Sequence, residues 1–274
     1  MERGISGRRF DMTDLTLADF RVGFRELRLG GRPLIVHASV KSFGPIQGGA
    51  ATVLRALMEI TASMIVPTFT YKTMVTPEVG PPNNGLTYGA NQDSNRMAIP
   101  FHADMPADPL MGIFPEAVRL HPEACRTLHP IQSFAGIHAD AALAAQSLAN
   151  PLAPIGVLEE QAGWVLLLGT DHTVNTSVHY AEKLAGRRQF MRWALMRDRV
   201  VECPGFPGDS SGFQVIAPDL ERDTRCVQIG AAHVQAVPLM RLFEVVQSRL
   251  KKHPLDLLCQ QADCERCQAI RATV

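Results

Sequence analysis

Apolar and polar positions follow two rhythms along the chain. Leu17, Phe20, Val22, Phe24 and Leu27 recur at mainly helical spacing. Thr16 and Asp19 precede them as a capping-box-like pair, with Asp in place of the usual Glu, and Gly30-Gly31 ends the helix. Pro33 to Ala38 (PLIVHA) is a short apolar run that predicts the first core strand. Ser39 to Gly49 (SVKSFGPIQGG) reads as a loop, and Val53, Leu54, Leu57 and Ile60 share one face of a helix over 50–61. Ser63 to Val66 predicts a second buried strand, stopped by Pro67. This succession is a crossover unit and favours a parallel sheet.

The rhythm breaks over 70–108, which is rich in Pro, Asn and Gly and has no clean period. A loop of that length is usually functional or mobile, and it is expected to be a substrate-side insertion or lid. A helix is expected over Leu110 to Leu120, an extended stretch around Pro130 over Arg126 to Phe134, and helices over Ala139 to Leu148 and Ile155 to Gln161. Trp164 to Leu168 reads as a buried strand, broken by Gly169, with a short helix carrying Asn175, Thr176, His179 and Glu182 behind it. In an open α/β sheet, ligands bind at the loop after a strand's carboxyl end. Gln189 to Leu195 and Arg199 to Glu202 predict paired strands. Cys203 to Gly212 reads as a loop, Val227 to Gly230 as a short strand, and Pro238 to Lys252 as an amphipathic helix before a helical, cysteine-bearing end. The expected fold class is α/β, with a mixed, largely parallel central sheet flanked by helices and a long irregular insertion. One domain over 1–274 is expected, with 238–274 as its C-terminal helical segment.

Charge narrows the function classes. The formal net charge is zero, so nothing marks a nucleic-acid or anionic-membrane partner. No window holds the roughly 18 consecutive apolar residues of a membrane-spanning helix. Residues 1–12 read as a peripheral lead-in, and MERGISGRRF lacks the apolar core of a signal peptide. A cytoplasmic location is therefore expected, with the six cysteines as thiols or ligands rather than disulfides.

Several sets of residues could carry chemistry. The 39–49 loop offers Ser39, Lys41, Ser42 and glycines between a strand and a helix, where backbone N–H groups attract phosphate. It has neither the Walker order nor a dinucleotide fingerprint, so an ordinary loop is an equal reading. His37 at the strand end reads most plainly as a loop anchor. Arg126, His129 and Ser133 around Pro130 suit either an anion contact or a structural turn. His179 is a candidate general base. Cys259, Cys264 and Cys267 have the spacing Cys-x4-Cys-x2-Cys, a fragment of a zinc or iron–sulfur pattern. A fourth ligand could come from Cys203, Cys226, His233 or His253. Free thiols on a helix are the leading alternative.

Taken in order, HASVKSFG-x-x-x-GGA at 37–50, IVPTFT at 65–70, RTLHPIQSFAGIHAD at 126–140, PIGVLEEQAGWVLLLGT at 154–170 and NTSVHYAE at 175–182 resemble the aminoglycoside 3-N-acetyltransferases. The resemblance covers roughly residues 30–230. It implies acetyl-CoA-dependent transfer to a primary amine of an aminoglycoside or related small molecule, by direct attack in a ternary complex. It implies that the CoA arm meets His37, Ala38, Ser39, Val40, Lys41 and Ser42, and that Arg126, Ser133 and Phe134 belong to the cofactor side. The family usually has Ser where Ala38 stands. Thr176, His179 and Glu182 map to its Thr-x-x-His-x-x-Glu block as catalytic residues. Histidine, with an ordinary pKa near 6.5, suits proton removal from an ammonium near neutral pH. Thr176 lies three residues before His179 on the same helix face, where its hydroxyl could hold the thioester carbonyl or sulfur. The acid orienting the ring is left open among Glu182, Asp171 and Asp209.

Asp171, Asp209 and Glu78 are the candidates for acceptor contact. Aminoglycosides are polycations, and the 70–108 segment carries only Glu78, Asp93, Asp104 and Asp108, so a less cationic amine is the alternative acceptor. The resemblance also links a Cys-Pro-Gly-Cys motif to the terminal cysteines in one branch of the family. Here Phe206 stands at its second Cys, which either counts against a metal or leaves Cys203 as the fourth ligand beside Cys259, Cys264 and Cys267 for a structural zinc. Two rivals remain: a thioester hydrolase, against which the missing Gly-x-Ser-x-Gly counts, and a non-catalytic CoA binder. The oligomeric state is open, a homodimer included.

Overall fold

Trp164–Leu168 is buried along its whole length because both faces of its strand are covered. Trp164, Leu166 and Leu168 join one apolar cluster, and Val165 and Leu167 join another on the opposite face. The same alternation in Leu34/Val36 against Ile35, and Met64/Val66 against Ile65, makes one sheet with two buried sides. The computed structural model describes residues 14–89 and 92–274. The lead-in expected over residues 1–12 lies outside them.

In chain order the elements begin with α1 (Leu17–Glu26), β1 (Arg32–Ala38), α2 (Gly49–Met58), β2 (Thr61–Pro67), β3 (Met74–Val75), α3 (Gln92–Arg96) and α4 (Ile113–Arg119). They continue with β4 (Ala124–Arg126), β5 (Phe134–Ile137), α5 (Asp140–Ala144), α6 (Ala153–Glu160), β6 (Trp164–Leu168) and α7 (Thr176–Leu184). The rest are β7 (Phe190–Leu195), β8 (Val200–Phe206), α8 (Ala217–Leu220), β9 (Arg225–Ile229), β10 (Ala232–Pro238), α9 (Leu239–Lys252) and α10 (Glu265–Arg271). Helix α1 starts at the expected capping box, where Thr16 N–H donates to Asp19 Oδ2 at 2.7 Å.

The central sheet runs β4-β5-β2-β1-β6-β10-β9, and β3-β7-β8 form a second sheet. Phe20, Phe24, Val53, Leu57, Phe114 and Val118 from α1, α2 and α4 cover one face of the large sheet. Leu143, Ile155, Val178, Leu242 and Val246 from α5, α6, α7 and α9 cover the other. The mixed α/β class is as expected, and so is the β1-α2-β2 crossover. The parallel majority is not: among the described residues only the β1–β2 and β1–β6 strand pairs are parallel. Strands β5 and β10 run against their neighbours. A helical crossover is needed to bring strands parallel, whereas short turns return the chain antiparallel. The edges are such hairpins, β4–β5 and β9–β10, and neither β5 nor β10 was anticipated as a strand.

The 70–108 segment is irregular but tied down. Met74–Val75 extends the small sheet against β7. Asn84 exchanges hydrogen bonds with the Met191 backbone at 2.8 and 2.9 Å. The chain end is helical only over α10, which packs Ala269 and Ile270 against Phe190, Cys203 and Phe206 of the small sheet. Among the described residues no helix is long and apolar enough to cross a membrane.

Candidate active site

Strands β1 and β6 lie side by side and parallel, so their carboxyl ends open on the same edge of the sheet. Ser39 N–H donates to Leu168 O at 2.8 Å, which joins the two loops at their roots. Gly169 makes the turn with φ +63, and a Cβ there would lie 2.7 Å from Ser42 Cβ. Only a residue without a side chain lets the chain pass so close in a left-handed conformation. The path then enters α7, whose N-cap Asn175 accepts from Ser177 N–H at 3.0 Å.

A cleft of about 1070 Å³ opens here. It is lined by His37, Ala38, Ser39, Val40 and Lys41, by Thr176 and His179 of α7, and by Tyr71, Arg192, Phe206, Asp209 and Arg266. His179 and Glu182 are one turn apart on α7, and Glu182 Oε2 lies 3.1 Å from His179 Nδ1. The other carboxylate oxygen of Glu182 faces Arg187 Nε at 3.3 Å. Both Glu182 and Arg187 are buried. The His179 ring stands edge-on to Phe213, with centroids 4.6 Å apart. Its Nε2 has no protein partner among the described residues. A ring held on one nitrogen by a buried carboxylate, with the other nitrogen free at a cleft, is able to exchange a proton there.

His37 is buried beneath the cleft, and its Nε2 accepts from Thr176 N–H at 3.3 Å. Burial is the main reason its pKa falls to about 3, helped by nearby His172 and His179. It is a neutral acceptor that ties β1 to the start of α7. His172 is likewise pushed down to about 4 by burial. Its backbone N–H donates to Gln214 at 3.0 Å and its ring meets Asn175, so it fixes the loop between β6 and α7. Neither His172 nor Gln214 was anticipated, since nothing in their local sequence distinguishes them.

Asp209 combines opposing influences. Burial pushes its carboxyl up, but hydrogen bonds from Ser211 and the charges of Arg266 and His179 bring it below the ordinary value. Arg266 donates to it at 3.1 Å. Tyr71, pushed up to about 12 chiefly by burial, stays a neutral phenol.

Other anticipated residues stand elsewhere. Ser133 and Phe134 are fully buried and do not line the cleft. Arg126 is turned into the structure instead. It donates to Thr68 O at 2.8 Å, to Ser133 Oγ at 3.2 Å and to the carbonyls of Ala103 and Met105. This set clamps the 70–108 segment to β2 and β5. Ser42 hydrogen-bonds Ser39 Oγ at 2.7 Å and lines a neighbouring hollow with Asp171. The Asp171 carboxylate is occupied by Thr173 N and Oγ1. Glu78 is exposed and outside the cleft lining.

The cysteine cluster has a different fourth member from the one expected. Ligating atoms of Asp209, Cys259, Cys264 and Cys267 all lie within 4.8 Å of one another. Cys203 is absent from that group. It packs in the small-sheet core, where burial pushes its thiol up to about 12. Cys267 is also raised to about 12, by burial and by the adjoining thiols. Tetrahedral zinc with bonds of about 2.3 Å to sulfur needs donors roughly 3.5–4 Å apart, which this crowded set accommodates.

Similarity to known proteins follows the same lines. A family described as aminoglycoside 3-N-acetyltransferase matches residues 35–251. The YokD protein of Bacillus subtilis (strain 168), an SPbeta prophage-derived aminoglycoside N(3')-acetyltransferase-like protein, is 30% identical over 162 residues. That match takes in 56% of this chain and 58% of YokD, so the chain spans less than two thirds of that relative's length. The fold is similar to that of the aminoglycoside acetyltransferase AAC(3)-IVa apoenzyme, with a TM-score of 0.77 and 21% identity over 97% of this chain and 100% of that one. It is also similar to AAC-IIIb in a binary complex with CoASH, with a TM-score of 0.70 and 22% identity over 88% of this chain and 97% of that one.

Proposed function

Since the chain belongs to the aminoglycoside 3-N-acetyltransferase family, we propose that it moves an acetyl group from acetyl-CoA to a primary amine of an aminoglycoside or related small molecule. The observation that carries the reading is the 3.1 Å contact between His179 Nδ1 and Glu182 Oε2 at the edge of the cleft. His179 Nε2 takes a proton from the acceptor ammonium. The freed amine attacks the thioester carbonyl and the C–N bond forms; that nitrogen gives up a second proton, the C–S bond breaks, one of the two protons goes to the departing thiolate and the other to solvent. Glu182 stabilises the imidazolium while it exists, and Thr176 faces the reacting carbonyl or sulfur. Ser39, Val40 and Lys41 receive the CoA arm, an assignment supported by their place in the cleft lining and by the CoASH complex of AAC-IIIb. Tyr71 and Met74 line the same cleft, which supports 70–108 as the acceptor-side cover.

Replacing His179→Ala is expected to lower acetyl transfer by at least about 10²-fold, with CoA affinity by calorimetry unchanged. Near-normal turnover would remove His179 as the base. The reading also includes zinc held by Asp209, Cys259, Cys264 and Cys267 as a structural staple between α10 and the loop after β8. Metal analysis of the purified protein is expected to find about one zinc per chain, and a metal-free protein with unchanged Tm would dismiss it.

A further inference from the structure

Behind His179 and Glu182 stands a third buried group that the proton transfer itself does not use. The Arg187 side chain is 3% exposed, and its Nε lies 3.3 Å from the Glu182 oxygen that does not face His179. Its backbone N–H donates to Glu182 O at 2.9 Å, at the end of α7. Nη2 donates to Asp256 O at 2.6 Å, and Nη1 is buried with no hydrogen-bond partner. Among the described residues Glu182 is the only carboxylate within ion-pair distance of this guanidinium. Packing alone does not call for such a charge, since apolar side chains replace a buried ion pair without loss in many proteins.

His179 and Glu182 hold their protons as one unit. With a proton on Nε2 the pair is neutral overall, an imidazolium beside a carboxylate. Without that proton the pair carries one negative charge. A fixed positive charge against Glu182 stabilises the second state more than the first. It therefore loosens the pair's hold on the Nε2 proton, by about tenfold or more for a charge held out of water.

Other charges face these groups. His37, neutral, lies beneath the ring from β1. Asp209 acts on the ring from the loop after β8 and is tied to Arg266. Cys267 and Asp256 of the terminal segment act on Arg187, and the Asp256 carboxylate is paired with Arg249 at 2.8 Å. Thiolates on a metal would add to that background. All of them stay in place when Arg187 is replaced, so its replacement isolates its own effect.

Resting on the acetyl-transfer reading for the use made of the base, we propose that Arg187 is a positioning residue acting through Glu182: its charge keeps His179 Nε2 free of a proton near neutral pH.

A ¹⁵N NMR titration of the histidine-labelled full chain tests this, with the His179 signals assigned by their loss in His179→Ala. In Arg187→Gln the pH at which Nε2 loses its proton is expected to rise by about one pH unit, a tenfold tighter hold. Arg187→Lys is expected to stay within about threefold of the parent. The acid limb of kcat/KM for acetyl transfer is expected to move with the NMR midpoint, so that Arg187→Gln regains activity as the pH is raised. A purely structural loss would give no such recovery. An unmoved midpoint in Arg187→Gln would overturn the proposal, as would an equal rise in Arg187→Lys. Should Arg187→Gln fail to fold, Glu182→Gln is compared with the double variant Glu182→Gln/Arg187→Gln, which removes both charges of the buried pair. The midpoint is again expected to rise on loss of Arg187, and no rise would overturn the proposal. The titration does not depend on turnover. A raised midpoint in Arg187→Gln, with a parent chain that acetylates no amine, would support the action of Arg187 and refute the acetyl-transfer reading alone.

Discussion

Glu182 serves two partners at once, His179 on one oxygen and Arg187 on the other. The His179–Glu182 pair was legible in the sequence, because a spacing of three puts both on one helix face. Which acid orients the ring was not legible. Asp171 and Asp209 were the other candidates, and the fold turns Asp171 onto Thr173 and Asp209 onto Arg266. Glu182→Gln keeps the size and loses the charge. We expect kcat to fall roughly 10²-fold, since an uncharged partner no longer stabilises the imidazolium. We also expect a stability loss of about 3 kcal/mol from leaving Arg187 buried without its counter-charge. Kinetics below the variant's Tm separate the two effects, and a kcat within threefold of the parent would show that Glu182 is a packing residue only.

The elements decide how closely the site's loops approach. Gly169 is the point where β6 turns under the 39–49 loop, with positive φ and Ser42 directly against it. Gly169→Ala is expected to destabilise the fold by roughly 1–3 kcal/mol. It is also expected to weaken CoA binding, because Ser39 to Lys41 must shift with Ser42. A variant with parental Tm and CoA affinity would contradict this account. The Gly break was visible in the sequence, but its contact across to Ser42 was not. The cysteine spacing was visible too. Its fourth partner comes from a loop some fifty residues earlier, and that partner is Asp209 rather than Cys203. Cys203 is buried in the small-sheet core and is not a member of the cluster.

Across the whole molecule, burial sets the response to acid. His37 is held near 3, and His129 and His172 near 4, each chiefly by burial. The unfolded chain binds these protons near 6.5, so it holds more protons than the folded chain below that pH. Stability contributed by the three neutral rings is complete above about pH 6.5 and is lost as the pH falls toward 4, at about 2 kcal/mol per ring by pH 5. Thermal melts from pH 8 to 4.5 are expected to give a level Tm above neutrality and a steep fall below 6.5, and a Tm that stays level to pH 5 would contradict it. The sequence by itself determined what local spacing carries: the apolar runs of β1, β2 and β6, the helix face shared by Thr176, His179 and Glu182, and the family. The tertiary structure alone decided the antiparallel edges, the inward turn of Arg126, Ser133 and Phe134, and the meeting of Arg192, Arg266 and Asp209 on one wall. Those outcomes depend on which distant segments pack together, and packing between segments leaves no period or spacing in the chain to read.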